Sequence, residues 1–93
     1  MTYYALIYYV IDDYETRRAE FRVEHLRIAN EAVKRGELLY GGAYTDPVDQ
    51  AMLIFRVKDR SVVETFAQND PYVVNGLVER WEIREWKVVV GNL

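Results

Sequence analysis

The first apolar stretch of the chain, Tyr3 to Ile11, is hydrophobic at both its odd and its even positions. Tyrosine, isoleucine and valine dominate it, which is the composition of a β-strand. A strand with one solvated face should alternate apolar and polar residues, and this one does not. Gln50 to Val57 repeats the pattern. The sequence therefore predicts two strands that are covered on both faces.

A helix is predicted after the first strand. Asp12 with Glu15 three residues later is the capping-box pattern of a helix start. Gly36 after Arg35 is typical of a helix end. Apolar residues recur at helical spacing and predict one buried face: Tyr14, Phe21, Ile28, Ala29, Ala32 and Val33.

A second helix is predicted between the third strand and Pro71. Ser61 with Glu64 forms another capping box. Asp70 should end the helix, because a residue that precedes proline is disfavoured in the α region. Its predicted buried face consists of Val62, Val63, Phe66 and Ala67.

Two further strands complete the set of elements, Glu37 to Tyr44 and Leu77 to Val90. Residues 45–49 between the second and third strands have turn chemistry. The order βαββαβ predicts an α+β, ferredoxin-like fold, with a four-stranded antiparallel sheet and two helices on one face. Residues 1–93 are expected to form one domain.

The second face of this sheet also needs a cover, because two helices can cover only one face. A second copy of the same sheet supplies one economically, so we expect a homodimer whose two sheets face each other. A bare apolar face would exceed what soluble monomers usually expose. The alternative is a tyrosine-rich second face in contact with water.

Charge and composition exclude several classes of partner. The formal net charge is −3 and no basic stripe is present, so no nucleic acid is expected. The chain has no cysteine, which excludes disulfides and suits the cytoplasm. Its first apolar run is too short to span a membrane, and no signal peptide is predicted. One histidine, no thiol and no phosphate-binding loop predict no metal and no cofactor.

His25 is the chain's only histidine, one turn after Phe21 and nearly one turn before Ile28. This spacing puts it on or beside the buried face of the first helix. An imidazole there can act as a general acid or base, because imidazole titrates near neutral pH. The other interpretation is a structural histidine that bonds to a strand or a tyrosine, and both stay open here.

Asp70 precedes Pro71, where a carboxylate commonly caps the following turn. Its functional interpretation is a hydrogen bond to His25 that fixes the tautomer and favours the protonated ring. Tyr72 would add a hydroxyl at the same place, or would only pack there.

Arg18 and Arg22 lie seven and three residues before His25, so the three side chains can share one edge of the helix. Guanidinium groups pair well with carboxylate or phosphate, and the pair would then hold an anionic ligand. Solvated arginines paired with nearby glutamates are the alternative. Tyr44, after the glycine pair of the second strand, is expected to line the same pocket.

Several short motifs follow one another along the chain: Arg18, Arg22 and His25-Leu26; Gly36-Glu37-Leu38-Leu39-Tyr40-Gly41-Gly42; Ser61-x-x-Glu64-x-Phe66; Asp70-Pro71-Tyr72; Gly76-Leu77; and Ile83-Arg84. From Tyr4 to about Trp86 they resemble the YciI-like (YCII-related) family of the dimeric α+β barrel superfamily. The resemblance implies a ferredoxin-like subunit, a homodimer, and an active site in which His25 lies near Asp70. Members linked to aromatic catabolism imply lyase or dehydrochlorinase-type chemistry.

Three functions are compatible with these features. The first is an enzyme that performs acid–base chemistry on a small anionic or aromatic molecule, with His25 moving the proton and Asp70 orienting the ring. The second is a non-catalytic dimeric module that binds a small molecule. The third is a cofactor-free monooxygenase or isomerase of the same superfamily.

Overall fold

The computed structural model of the chain describes residues 1–91. Four strands form one antiparallel sheet in the order β2-β3-β1-β4. Their bounds are Thr2–Val10 for β1, Leu38–Ala43 for β2, Gln50–Val57 for β3 and Val78–Glu85 for β4. The two double-sided strands, β1 and β3, are the central pair. The architecture is the α+β, ferredoxin-like fold predicted from the order of the elements.

The helical segments connect these strands and contribute to the core beside the sheet. Their bounds are Tyr14–Arg17 for α1, Arg22–Lys34 for α2, Arg60–Asn69 for α3 and Pro71–Val74 for α4, with a 3-10 segment at Arg18–Glu20. Across residues 1–91, no helix has the length and apolar character needed to cross a membrane.

The first predicted helix is interrupted, so the prediction of one continuous helix is wrong. The α-helical conformation ends at Arg17 and gives way to the 3-10 segment. Phe21, with φ −111° and ψ 1°, then separates this segment from α2. Tertiary packing overrides the helical period here. Tyr14 is buried and meets the ring of Tyr72 edge-on, with 5.6 Å between the ring centres. Phe21, at the start of α2, packs against the same core.

The capping box predicted at Asp12 is also wrong. Asp13 holds the N-cap position of α1, and no side-chain cap bond is formed there. The chain turns directly out of β1, since the amide of Tyr14 donates to the carbonyl of Ile11 at 3.2 Å. That backbone turn leaves the side chain of Asp12 exposed and outside the cap.

The end of α2 forms as predicted, because Gly36 adopts the left-handed conformation with φ +77°. Its amide donates to the carbonyl of Val33, and the amide of Glu37 donates to that of Ala32. These two bonds are the Schellman motif that closes a helix. Val33, predicted to be buried, is 48% exposed because it lies beside an open cavity.

The second capping box is wrong by two positions. Asp59, not Ser61, is the N-cap of α3, and its carboxylate accepts the Ser61 amide at 2.9 Å. Asp59 still has extended backbone angles after β3 ends, so its carboxylate is the first acceptor that the chain offers to the helix start. Glu64 instead lies 3.7 Å from Arg60, one helical turn before it.

The last strand is shorter than predicted and ends at Glu85 rather than Val90. Its partner is β1, which begins at Thr2, and the amide of Trp86 donates to the carbonyl of Tyr3 at 2.8 Å. Beyond that bond only Thr2 of β1 remains, so a strand that continued to Val90 would have no partner. The strand-like composition of residues 86–90 is therefore not enough to extend β4.

The two faces of the sheet differ, as the double-sided pattern requires. Even positions of β1 and odd positions of β3 enter the core beside the helices: Leu6, Tyr8, Val10, Leu53, Phe55 and Val57. Side chains alternate across a strand, so the opposite residues form a second face. We call Ala5, Ile7, Met52 and Ile54 the open face, and they are paired across β1 and β3.

Candidate active site

Asp70 stands at the junction of α3 and α4, and the local sequence explains why. Its backbone is extended (φ −67°, ψ 123°), so it ends α3 and becomes the N-cap of α4, with Pro71 in the first helical position. Its carboxylate accepts the amide of Tyr72 at 3.0 Å. Among residues 1–91 it is the one charged side chain that is fully buried.

Three donors surround this buried carboxylate. The hydroxyl of Tyr8 donates to Oδ2 at 2.7 Å, and the amide of Tyr72 donates to Oδ1. The Nδ1 atom of His25 lies 2.9 Å from Oδ1 and 3.0 Å from Oδ2. Asp70 therefore caps α4 and contacts His25 at the same time.

This arrangement defines the tautomer of His25. An ionised carboxylate only accepts hydrogen bonds, so the hydrogen of the neutral ring resides on Nδ1. The other nitrogen, Nε2, is then the atom that can accept a proton from a ligand. The side chain of His25 is 15% exposed, and the residue lines a cavity, so the ring is reachable from outside.

Aromatic rings hold the imidazole in place. Tyr72 stacks on His25 with 4.0 Å between ring centres and 12° between planes. Burial raises the pKa of Tyr72 and of Tyr14 above the ordinary value for tyrosine. Burial raises the pKa of Tyr8 as well, and the adjacent charge of Asp70 adds to the rise. These phenols therefore stay protonated at neutral pH, and that of Tyr8 donates to Asp70.

A cavity of about 270 Å³ lies between α2 and β2 beside this group. Its charged side chains come from the 3-10 segment and α2, and its apolar surface comes from the sheet and from apolar residues of α2. The residues that line it are Tyr8, Tyr14, Arg18, Arg22, His25, Leu26, Ala29, Asn30, Val33, Leu38, Leu39, Tyr40, Gly41, Gly42, Ala43, Ala51, Leu53 and Tyr72.

Arg18, Arg22 and His25 all line the cavity, although the helix break separates Arg18 from the other two. The guanidinium of Arg18 lies 5.3 Å from the centre of the Tyr14 ring. The positive charges of both arginines oppose the rise in the pKa of Tyr14 and Tyr72. The cavity wall is thus positively charged and aromatic.

The structure places Tyr44 differently from the pocket position expected for it. Tyr44 follows β2 and is half exposed, and the tyrosine of this segment that lines the cavity is Tyr40. Ala43 lines the cavity, and neighbouring residues of extended chain point to opposite sides. Gly41 faces the cavity wall, since a Cβ atom there would lie 3.4 Å from the side chain of Leu53.

Two residues of this site were not singled out from the sequence. Tyr8 lies 62 residues from Asp70, and Tyr14 lies on a helix whose break was not foreseen. A signal for Tyr8 was present, because it occupies a core position of β1 between aliphatic residues. A buried tyrosine hydroxyl usually has a hydrogen-bond partner, so a tyrosine at such a position predicts a polar group beneath the helices. For the residues described, no group of three or more His, Asp or Glu side chains is placed to hold a metal ion.

The chain belongs to the YCII-related family: the model of the YCII-related domain matches residues 1–87. Among solved structures it is similar to 5-chloro-2-hydroxyhydroquinone dehydrochlorinase from Burkholderia phenoliruptrix, determined in complex with 2,5-dihydroxybenzoquinone. The TM-score is 0.76 at 17% identity, covering 91% of this chain and 93% of the other. This likeness supports the fold. No curated protein matches the sequence significantly.

Proposed function

We propose that this member of the YCII-related family is an enzyme that performs acid–base chemistry on a small anionic or aromatic molecule. The observation that carries the proposal is the contact of 2.9 Å between His25 Nδ1 and the buried Asp70 at the wall of a cavity. A base oriented by a buried carboxylate beside a ligand-sized space is a recurrent arrangement in catalysis.

The chemistry that suits this arrangement is a proton transfer of the lyase or dehydrochlorinase type. His25 Nε2 takes a proton from the substrate, and Asp70 stabilises the imidazolium that results. In an elimination the electron pair left behind forms the new double bond, and the leaving group departs as an anion. Arg18 and Arg22 bind the anionic group of the substrate, and the ring of Tyr72 orients an aromatic one.

The proposed active form is a homodimer in which the open face of one sheet meets that of a second copy. The open face has Ala5 paired with Ile54 and Ile7 paired with Met52, an apolar patch in the centre of the sheet. Within one copy Ala5 and Ile54 are already buried and Ile7 and Met52 are half-buried, so Ile7 and Met52 would supply the apolar contact with the second copy. The absence of cysteine favours the cytoplasm as the place where the dimer works.

A thermal-shift screen tests the function. We would use benzoate, 2,5-dihydroxybenzoquinone and inorganic phosphate with wild type, His25→Gln and Arg27→Gln. Arg27 lies on the same helix but pairs with Glu24 and Glu31 at the surface, so it is the matched control. A ligand present at a hundredfold excess over its Kd stabilises by ~2.7 kcal/mol, and the shift should be smaller in His25→Gln and unchanged in Arg27→Gln.

If His25→Gln converts a probe as fast as wild type does, the catalytic role of the ring is wrong. A probe that binds wild type and His25→Gln and is converted by neither supports the binding module instead. If none of the three probes shifts wild type, the proposed ligand class is wrong. A turnover that requires oxygen would favour the monooxygenase alternative.

Sedimentation of wild type, Ile7→Asp and Val23→Asp tests the dimer. Ile7 lies on the open face, whereas Val23 is 84% exposed on α2. A buried unpaired charge is costly, so Ile7→Asp should dissociate the dimer and Val23→Asp should not. If wild type sediments as a monomer at low micromolar concentration, the proposed homodimer is wrong.

A further inference from the structure

We propose that Tyr8 is a positioning residue whose hydroxyl sets the pH at which His25 takes up its proton, by neutralising part of the charge on Asp70. The inference deepens the proposed function and rests on it for its catalytic meaning. The contacts that carry it need no ligand.

The first step is the geometry of the carboxylate. Tyr8 is only 1% exposed, and its hydroxyl donates to Oδ2 of Asp70 at 2.7 Å. His25 Nδ1 lies 3.0 Å from that same oxygen and 2.9 Å from Oδ1. The phenol and the imidazole therefore share one acceptor, and neither can change without an effect on the other.

The second step is the charge on the pair. When His25 is neutral, no positive charge is bonded to the buried Asp70 anion, so the hydrogen bond from Tyr8 stabilises that anion most. With protonated His25, the imidazolium already balances the carboxylate, and the same donor is worth less. Tyr8 thus stabilises the unprotonated pair more than the protonated one, and it keeps His25 available as a base.

The third step concerns the other groups that face the pair. Tyr72 from α4 supplies an amide donor and a stacked ring. Tyr14 from α1, Arg18 from the 3-10 segment and Arg22 from α2 line the adjoining cavity. The arginines also favour neutral His25, but they act through space and from the cavity side. Among residues 1–91, Tyr8 is the one side chain other than His25 that is hydrogen-bonded to the carboxylate.

The chain contains a matched control at the next position. Tyr9 has the same phenol, and its hydroxyl donates to Glu82 at 2.6 Å on the other side of the sheet. Tyr9→Phe removes the same atom from an equally short bond, with no contact to Asp70 or His25. It separates the effect of this carboxylate from the general effect of losing a phenol in β1.

The experiment is an NMR titration of wild type, Tyr8→Phe and Tyr9→Phe without ligand. The chain has one histidine, so its Cε1–H resonance is unambiguous. We expect the midpoint of His25 to rise by about one pH unit in Tyr8→Phe, a roughly tenfold change in proton affinity. Tyr9→Phe should titrate as wild type does. A midpoint in Tyr8→Phe that equals or falls below the wild-type value overturns the proposal.

A second measurement on wild type covers the case in which Tyr8→Phe does not fold. The hydroxyl proton of Tyr8 should exchange slowly, and its chemical shift should follow the titration midpoint of His25. A hydroxyl proton that exchanges too fast to observe, or that ignores this titration, contradicts the proposal. Neither measurement uses a substrate, so a failed ligand screen would leave this result standing, and the reverse holds as well.

Discussion

Tyr8 and Tyr9 are neighbours in β1, and each donates its hydroxyl to a carboxylate, at 2.7 Å and 2.6 Å. They differ in the face of the sheet they occupy. Tyr8 points beneath the helices to the fully buried Asp70, whereas Tyr9 reaches Glu82 on the other side. The guanidinium of Arg80 lies 3.8 Å from the ring centre of Tyr9 and 4.0 Å from Glu82.

The comparison shows that burial, and not bond length, decides what such a contact does. Around Glu82, water and the charge of Arg80 can replace a lost phenol, and exposed charge pairs contribute little. Around the buried Asp70 no water can replace any of its three donors, so each loss leaves an unpaired polar group. The same hydrogen bond therefore contributes little on the face of Tyr9, whereas on the face of Tyr8 it positions the site.

Removal of the two carboxylates, one at a time, should give the largest difference in stability between the two faces. Asp70→Ala strips the acceptor from Tyr8, His25 and the α4 cap, so we expect a loss of ~3–5 kcal/mol in the free energy of unfolding. Glu82→Ala should lose less than ~1 kcal/mol. Urea unfolding measures both, and similar losses at the two sites would refute the role of burial.

Removal of the two hydroxyls should give a smaller difference of the same sign. Tyr8→Phe loses a buried hydrogen bond to a charged group, which contributes ~1.5–3 kcal/mol to the free energy of unfolding. Tyr9→Phe should lose less than about 1 kcal/mol, because water can hydrate Glu82. Urea midpoints at neutral pH decide the point, and an equal cost for the two phenols would contradict it.

Alkaline pH offers a third way to separate the two tyrosines. Burial raises the pKa of Tyr8 above its unfolded value, so above about pH 10 the unfolded chain loses a proton that the folded chain keeps. The free energy of unfolding then falls as the pH rises, by about 1.4 kcal/mol near pH 11 for this group. Tyr14 and Tyr72 act in the same direction.

The measurement is urea unfolding of wild type, Tyr8→Phe and Tyr9→Phe at about pH 9 and about pH 11. Tyr8→Phe should lose less stability over this interval than wild type. Tyr9→Phe should lose as much as wild type does. Parallel losses in all three proteins would show that Tyr8 ionises as freely as an exposed phenol.

The glycine pair of β2 sharpens the comparison at the level of ligand binding. A Cβ at Gly41 would lie 3.4 Å from Leu53 at the cavity wall, in ordinary contact, whereas a Cβ at Gly42 meets nothing within 4 Å. Gly41→Ala should therefore keep the fold and weaken benzoate binding about threefold, ~0.7 kcal/mol. Gly42 also borders the cavity, but it pairs with Met52, so its Cβ would point to the open face. Gly42→Ala should therefore bind as wild type does in isothermal titration, and weaker binding in Gly42→Ala than in Gly41→Ala would contradict this placement of the ligand.

Much of the fold was predictable because its signals are local or periodic. The bounds of β3 agree at both ends, and Gly36 closes α2 as the left-handed position requires. The errors fall where a distant contact competes with a local rule. Tyr14 packs on Tyr72 where the first helix is interrupted, and β4 cannot extend to Val90 because its partner strand begins at Thr2.

The site divides in the same way. His25 and Asp70 were singled out by residue type, helical spacing and the proline that follows Asp70. Their contact spans 45 residues, and that of Tyr8 with Asp70 spans 62, so no local pattern contains either distance. Arg18 and Arg22 were predicted on one helix edge, and the cavity has both, although the helix between them is interrupted.

By itself, the sequence determined the four strands and the two main helical regions, because hydrophobic period and turn residues act over a few positions. It also determined that both faces of the central strands are apolar. Only the tertiary structure decided which of two adjacent tyrosines meets a buried charge. The physical reason is that strand alternation assigns opposite faces to Tyr8 and Tyr9, but the packed helices determine which face excludes water.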